Sequence, residues 1–379
     1  MTSKYLHLEE KIISRKNRFS LNISQKKELK KIFINQNVLV FGAAGSIGSS
    51  FVLSILKYKI KNLYLVDKNE NELVELNRNI VSENLKININ YICNDINEFK
   101  LNKFLNDKKI NLYLNFAAIK HVRSEENIYT LKYLFDTNCN NCFNFNYSKF
   151  LKKVFFISTD KACEPSSIMG ASKKIMEQRL FIKKQSTKNI FFSSVRFANV
   201  SFSNGSVLKM IDDKIKLNKN FGIPLNIKRY FITHKEAVSL CLKSLTKNAD
   251  GMIVIPNGNI LGRQLSIKEL LIKILNNKKI KNKSYKNYIL TKKFKIKLLK
   301  DKITGQKNEE TLYVDSELKY IKNIDKNTLM LNPKTSKTLA DIPKELNFNK
   351  KIINIKKQLS KHFSKINFKE KSVNISKNL

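Results

Sequence analysis

From residue 37 the chain alternates between short apolar runs and longer amphipathic stretches. The runs Asn37–Phe41, Asn62–Val66, Asn88–Cys93, Asn111–Phe116, Lys153–Ser158 and Ile190–Arg196 have the length and residue content of strands. Between them, Ser46–Tyr58, Glu70–Val81 and Glu126–Phe150 carry apolar residues at helical spacing. Strands separated by helix-length crossovers form right-handed βαβ units. The expected fold is therefore α/β, a Rossmann-type doubly wound parallel sheet with a smaller C-terminal substrate-binding subdomain.

The same pattern sets the expected boundaries. Residues 1–35 are polar and lysine-rich, with a helix-like patch at Ser24–Phe33, and read as an extension. Residues 36–200 carry the regular alternation and form the Rossmann domain. The rhythm then loosens, with turn signals at Asn204-Gly205, Gly222 and Asn257-Gly258, so 201–345 is assigned to the substrate-binding portion, interleaved with the Rossmann domain. Residues 346–379 read as a basic tail, either a surface helix or disordered.

Composition narrows the functional classes. A chain of 379 residues with 42% hydrophobic content can bury a large core. No run of about 18 uncharged apolar residues occurs, and Met1–Glu10 lacks the apolar centre of a signal peptide, so the expectation is a cytoplasmic protein without a transmembrane segment. The five cysteines are odd in number and scattered, which predicts reduced thiols. Cys139 and Cys142 form a lone CxxC inside a helix-like stretch, and no metal is expected there.

The formal net charge of +41 raises the question of nucleic acid. The excess is almost all lysine and only eight arginines occur, whereas base recognition calls for clustered arginine interleaved with aromatics. Spread lysines make a solvated surface. No specific nucleic-acid partner is expected, only weak attraction to anionic surfaces, centred on Lys350–Leu379.

Candidate chemistry begins after the first strand, at Gly42-Ala43-Ala44-Gly45-Ser46-Ile47-Gly48. A glycine-rich turn between strand and helix brings backbone N–H groups up to a pyrophosphate, with the helix dipole favouring its charge. Three of only ten glycines fall here. Gly42, Ala44, Gly45, Ser46, Ile47 and Gly48 are thus candidate cofactor residues. Asp67 ends the second strand, where a carboxylate accepts from adenosine ribose hydroxyls and repels a 2′-phosphate. NAD is favoured on that ground, with NADP left open because Lys68 is adjacent. Small Ala117 and Ala118 after the fourth strand let backbone come close to the cofactor.

After the fifth strand comes Ser158-Thr159-Asp160-Lys161-Ala162, at the carboxyl end of the sheet where open α/β folds bind ligands. Met169-Gly170-Ala171-Ser172-Lys173 follows, with Met169 and Lys173 one helical turn apart at the spacing of a YxxxK motif. Together with Asn115–Val122 (NFAAIKHV), Val195–Val200 (VRFANV) and Arg229–Thr233 (RYFIT), these segments resemble the UDP-N-acetylglucosamine 4,6-dehydratases of the polysaccharide-biosynthesis branch of the extended short-chain dehydrogenases. The resemblance runs collinearly from about Val38 to about Glu317. Thr304–Glu310 further resembles a G-E-K-x-x-E-E substrate segment, with Gln306 in place of the first acid.

What the resemblance implies can be matched to chemistry. Taking hydride from C4 of a hexose makes a ketone that acidifies C5–H; loss of the C6 hydroxyl then needs a base near C5 and an acid near O6, and the hydride returns to C6. By resemblance, Asp160 protonates the leaving hydroxyl and Lys161 takes the C5 proton, while Lys173 holds the nicotinamide ribose and, with Thr159, assists loss of the C4 hydroxyl proton. Met169 stands where the family's tyrosine would, and a thioether cannot carry that proton; members with Met resemble the retaining dehydratases.

Asp95 and Ile96 are placed at the adenine ring. Lys120, His121, Arg196, Asn199, Arg229 and Glu309 are placed on the UDP-sugar, with an arginine fork at the diphosphate. A structural hydrogen-bonded role is the competing account of His121, a surface salt bridge that of Arg263, and Asn138 is taken as structural. The resemblance also implies a homo-oligomer. Two rivals remain: a UDP-sugar epimerase or 4-keto reductase on the same scaffold, disfavoured by Met169, and a non-catalytic basic binding protein.

Overall fold

The structure, a computed structural model, describes residues 3–14, 16–81, 87–121, 125–146, 148–225, 227–299 and 310–366. All six apolar runs form strands: β1 (Asn37–Phe41), β2 (Asn62–Asp67), β3 (Asn88–Cys93), β4 (Leu112–Asn115), β5 (Lys153–Ile157) and β6 (Phe191–Val195). They lie in the order β3-β2-β1-β4-β5-β6, all parallel. Strand Met252–Pro256 extends the parallel set beyond β6, and the antiparallel pair Thr328–Leu331 and Ile321–Asp325 completes nine strands. The strand order reverses between β1 and β4, which opens a crevice at their carboxyl ends.

The sheet core is continuous from Val38, Leu39 and Val40 through Tyr113 and Leu114 to Phe155 and Phe192, all fully buried. Helices cover it on both faces, among them Ser46–Ile55, Glu70–Val81, Ile168–Gln185 and His234–Ser244. A second core lies in a smaller unit built from helices Val207–Lys216 and Ile267–Asn277. Its four-stranded sheet runs Asn282–Ser284, Tyr288–Thr291, Lys295–Leu299, Phe221–Pro224. The chain passes back to the large sheet at Met252–Pro256, so residues beyond 200 serve both units.

Three expectations need correction. The stretch Glu126–Phe150 is not one helix. An α-helix at Ile128–Phe135 gives way to a π turn at Asp136–Asn140 and a 3₁₀ turn at Asn141–Phe143. The cause is Asn138, which is buried and binds three groups: its Oδ1 accepts from Ile119 N (3.0 Å), and its Nδ2 donates to Ile119 O and Ser172 Oγ (both 3.0 Å). A widened turn lets one polar side chain satisfy the loop after β4 and the neighbouring helix together.

The second correction concerns the carboxyl end. Of the two readings for this segment the helix holds, but residues 346–366 are packed onto the body and are not a loose tail. Helix Ile352–Ser360 buries Ile355 and Leu359, and with Phe363 and Ile366 they pack on Leu131, Leu134, Ile168 and Ile175. Those apolar residues are spaced for a helix face but diluted by lysine, which hid the pattern.

The amino-terminal segment is likewise part of the body. Helix Ile23–Phe33, opened by an Asn22/Gln25 capping box, buries Leu29 and Phe33. Ahead of it, buried Glu9 accepts from Ser201 Oγ (2.6 Å) and sits 2.7 Å from His234 Nδ1. Among the described residues no helix is long and apolar enough to cross a membrane.

Candidate functional site

A cavity of about 1040 Å³ lies at the crevice between β1 and β4 and extends to the smaller unit. Its near end is the glycine loop. Gly42 has φ +66°, and a Cβ on Gly48 would stand 2.0 Å from Gly42 O, so the tight turn depends on these two residues having no side chain. Gly45 begins helix Ser46–Ile55 without any side-chain cap, and Gly45, Ser46 and Ile47 line the cavity. Uncapped amides at the positive end of a helix dipole, facing a cavity, suit a pyrophosphate.

Asp67 buttresses this loop. Its Oδ2 accepts from Ala44 N and its Oδ1 from Asn69 N, both at 3.1 Å. Across the cavity, Asn204 N donates to Ser46 Oγ (2.7 Å), so a turn of the smaller unit touches the loop directly.

The adenine-side residues are less open than expected. Asp95 accepts from the Tyr133 hydroxyl and from Asn97 N (2.9 Å), and Ile96 is buried in the core. Tyr133 in turn accepts from Lys68 Nζ (3.0 Å), which anchors the lysine beside Asp67. Ala44 and Ala117 lie behind the cavity wall, whereas Gly42, Gly48 and Ala118 line it.

The far wall carries the titratable groups. Thr159 ends the run from β5 and caps a 3₁₀ turn, Asp160–Ala162, that points Asp160 and Lys161 into the cavity. Asp160 is fully buried; its Oδ1 accepts from Thr159 Oγ1 (2.7 Å) and Lys161 Nζ (3.1 Å). Lys161 Nζ also lies 3.0 Å from Glu310 Oε1. Glu310 collects two further donors, Arg229 Nε on Oε1 (2.8 Å) and Asn199 Nδ2 on Oε2 (2.7 Å), and its backbone exchanges hydrogen bonds with the Gln264 amide.

Electrostatics follow from that packing. Burial alone would raise the Asp160 pKa, but the Lys161 ammonium and hydrogen bonds from Glu310, Thr159 and Lys161 outweigh it and hold the carboxyl below its usual range. Burial would lower Lys161; the charges of Asp160 and Glu310 overcome this and hold it above the ordinary amine range. Glu310 is pushed up to about 7 by burial and then by the Asp160 charge, against the pull of Lys161 and Arg229. At rest, then, the proton sits opposite to the expected inventory: Asp160 is the carboxylate and Lys161 the ammonium. One proton moving from Nζ to Oδ1 over 3.1 Å gives the neutral amine and the carboxylic acid without changing the net charge.

Helix Ile168–Gln185 delivers Met169 and Lys173 to the cavity, both buried. It approaches the Asp160–Lys161 turn so closely that a Cβ on Gly170 would meet Lys161 O at 2.7 Å. Burial pushes Lys173 down to about 8; its Nζ donates to Ile157 O (3.0 Å), which aims it at the end of β5. Lys120 and His121 line the same cavity, His121 against Gly205. Burial, and then Lys161, lower the Lys120 pKa although its side chain is open to the cavity.

One substrate assignment is overturned by burial. Arg196 is completely inaccessible and does not line the cavity. Its Nε and Nη2 bind Glu177 at 2.8 and 2.7 Å, and Nη1 and Nη2 bind Glu317 at 2.9 and 3.1 Å. It joins the end of β6 to two helices. Arg263 is exposed and paired with Glu269 at 2.7 Å, a surface salt bridge. Glu309 lies outside the described residues. Its neighbour Glu310 is the acid in contact with Lys161, and sequence reasoning passed over it although the tandem acids were the available signal.

The CxxC thiols are structural. Cys139 Sγ donates to Ser172 O (3.1 Å) and Cys142 Sγ to Asn138 O (3.6 Å); both are buried. Among the described residues no group of three His, Cys, Asp or Glu side chains is placed to hold a metal ion.

A family profile for polysaccharide biosynthesis proteins matches residues 38–331. The chain belongs to that family. Relatives include an uncharacterized membrane protein of Methanocaldococcus jannaschii (29% identity over 60% of this chain and 68% of that protein). An inverting UDP-N-acetylglucosamine 4,6-dehydratase of Campylobacter jejuni matches at 26% over 59% of this chain and 68% of its own. A UDP-glucose 4-epimerase of Rickettsia bellii also matches at 26%, over 59% and 67%. Among solved structures, Pen from Bacillus thuringiensis is similar in fold, with a TM-score of 0.65 and 24% identity, covering 79% of this chain and 87% of that one. The family therefore spans dehydratases and epimerases, and residue-level chemistry must separate them.

Proposed function

We propose that the protein is an NAD-dependent nucleotide-sugar 4,6-dehydratase acting on UDP-N-acetylglucosamine or a close UDP-hexosamine, in the service of surface polysaccharide. The observation that carries this proposal is the shared cavity: the Asp160–Lys161 couple, Met169, Lys173 and the glycine loop all open into it. NAD supplies reversible hydride storage when bound. The uncapped amides of Ser46 and Ile47 would hold its pyrophosphate, Asp67 its adenosine ribose, and Lys173 its nicotinamide ribose.

This chain's own residues would then manage protons and orientation. Arg229 and Lys120 would meet the diphosphate, and Asn199 and His121 the sugar. Thr159 and Lys173 would help the C4 hydroxyl lose its proton as hydride departs. After the internal proton shift, neutral Lys161 takes the C5 proton; the C–H electron pair becomes the C5–C6 double bond, the C6–O pair leaves with oxygen, and Asp160 protonates it to water. Return of hydride to C6 would make the methyl group, and the Lys161 ammonium would give its proton back to C5 to complete the 4-keto-6-deoxy sugar.

The epimerase alternative shares the scaffold and is represented among the relatives. It requires reversible proton exchange at C4 and no group for C5 or O6. A thioether at 169 removes the usual carrier for the first, and the Asp160–Lys161 couple supplies the second. Incubation with UDP-N-acetylglucosamine and NAD, followed by proton NMR, tests the assignment. A new methyl doublet beside a 4-keto sugar is expected, whereas a C4 epimer with no methyl signal would overturn it.

A further inference from the structure

Two buried carboxyls flank Lys161, and their oxygens are not equally served. Glu310 receives Lys161, Arg229 and Asn199. Asp160 receives Thr159 and Lys161 on Oδ1, while its Oδ2 is buried without a hydrogen-bond donor, and the Asp160 and Glu310 carboxyls lie within hydrogen-bonding reach of each other. A carboxylate oxygen sealed from water and left without a donor is destabilising. Two carboxylates in contact add repulsion. A single hydrogen on Glu310, donated to Asp160 Oδ2, removes both penalties.

We propose that Glu310 works in its neutral form, its hydroxyl donating to Asp160 Oδ2 and its remaining oxygen accepting from Lys161 and Arg229, and that loss of this proton to solvent locks Lys161 as an ammonium and stops turnover. With Glu310 ionised, Lys161 faces two anions and surrendering its proton is disfavoured. With Glu310 neutral, only Asp160 opposes the shift from Nζ to Oδ1. Glu310 is thus a positioning residue that acts through Lys161. The groups facing it are Asp160 and Lys161 from the turn after β5, Arg229 and Asn199 from the smaller unit's side, and Gln264 at its backbone; Lys120 and His121 stand along the same cavity. The raised Glu310 value of about 7 puts the transition within the working range.

The inference rests on the dehydratase proposal, so the experiment reads both. The kcat for keto-sugar formation is measured from pH 6 to 9 in wild type, Glu310→Gln and Glu310→Asp, together with infrared absorption of protonated carboxyl groups. In wild type, kcat should fall about tenfold per pH unit above the transition, and the carboxyl band should fade over the same range. Glu310→Gln can donate to Asp160 Oδ2 but cannot ionise. Its kcat should drop roughly tenfold at pH 6, the alkaline fall should vanish, and the band should be missing. Glu310→Asp should recover the fall. An unchanged alkaline limb in Glu310→Gln, or no titrating band in wild type, overturns the proposal. If wild type forms no keto sugar at any pH, the dehydratase assignment fails, while the band still decides the protonation of Glu310.

Discussion

Two clusters with the same charges, one cation and two acids, built around the ends of neighbouring strands β5 and β6, have opposite fates. Arg196, Glu177 and Glu317 set one planar cation between two acids, as do Lys161, Asp160 and Glu310 with their ammonium. In the first, both faces of the guanidinium fork are engaged by carboxylates, Ser158 donates to Glu177 (2.7 Å), and Arg196 has no accessible surface. In the second, one acid oxygen lacks a donor, a third of the Lys161 side chain is exposed, and a large cavity adjoins. A saturated guanidinium cannot give up a proton, so the first cluster can only hold the fold together. An amine with an incompletely served partner can exchange one.

Breaking the open cluster should have the largest effect. Lys161→Ala is expected to lower keto-sugar formation by about 10³-fold in the NMR time course, with native circular dichroism retained. Activity within a few-fold of wild type would remove Lys161 from the proton path. Breaking the sealed cluster should act on stability instead. Arg196→Met leaves Glu177 fully buried without its cation and should cost about 3–5 kcal/mol in urea unfolding. A loss below about 1 kcal/mol would mean that water reaches the pair.

The contrast also shows what the sequence could and could not reveal. Strand spacing, the glycine loop and the STDKA and MGASK segments were readable because each is local: period, turn chemistry and i,i+4 geometry leave marks within a dozen residues. Arg196 and Arg229 look alike in sequence, both beside apolar residues, yet one is sealed against helix Ile168–Gln185 and the other lines the cavity. Their difference depends on partners, Glu177, Glu317 and Glu310, that lie 19 to 121 residues away or arrive from a different segment of the chain. Glu310 itself was one of two tandem acids, and only the contact with Lys161 distinguishes it. The burial of the carboxyl-terminal helix, one of two readings open for that segment, was missed for another reason: Ile352, Ile355 and Leu359 form a face too narrow to stand out among lysines.

The backbone approach between the turn and the helix offers a smaller perturbation of the open cluster. Gly170→Ala would place a methyl group 2.7 Å from Lys161 O, so helix or turn must shift. A stability loss of about 2 kcal/mol is expected, along with roughly tenfold lower kcat because Asp160 and Lys161 move off line. Wild-type kcat with wild-type stability would show that the two backbones are free to separate.

Lys173 sharpens the comparison most finely, because among the described residues its ammonium is bonded to a carbonyl, Ile157 O at 3.0 Å, and not to a carboxylate, with Glu177 acting on it only as a more distant charge. Burial pushes it down to about 8, while an unfolded lysine titrates near 10.4. Below pH 8 both states are protonated, and the folded one bears the cost of a desolvated ammonium. Between about 8 and 10.4 the unfolded chain binds more protons, so stability rises with pH; above 10.4 both are neutral and the gain is complete. Lys153 and Lys183 are also held near 8 by burial and Lys120 is lowered as well, so the wild-type slope mixes several groups. Urea unfolding of wild type and Lys173→Met at pH 7 and pH 10 isolates one of them. The variant's gain in stability between the two pH values should be smaller by about 1–2 kcal/mol. Equal gains would mean that Lys173 stays protonated through this range, stabilised by an anionic group at its ammonium, and its kinship would then be with the ion-paired clusters rather than apart from them.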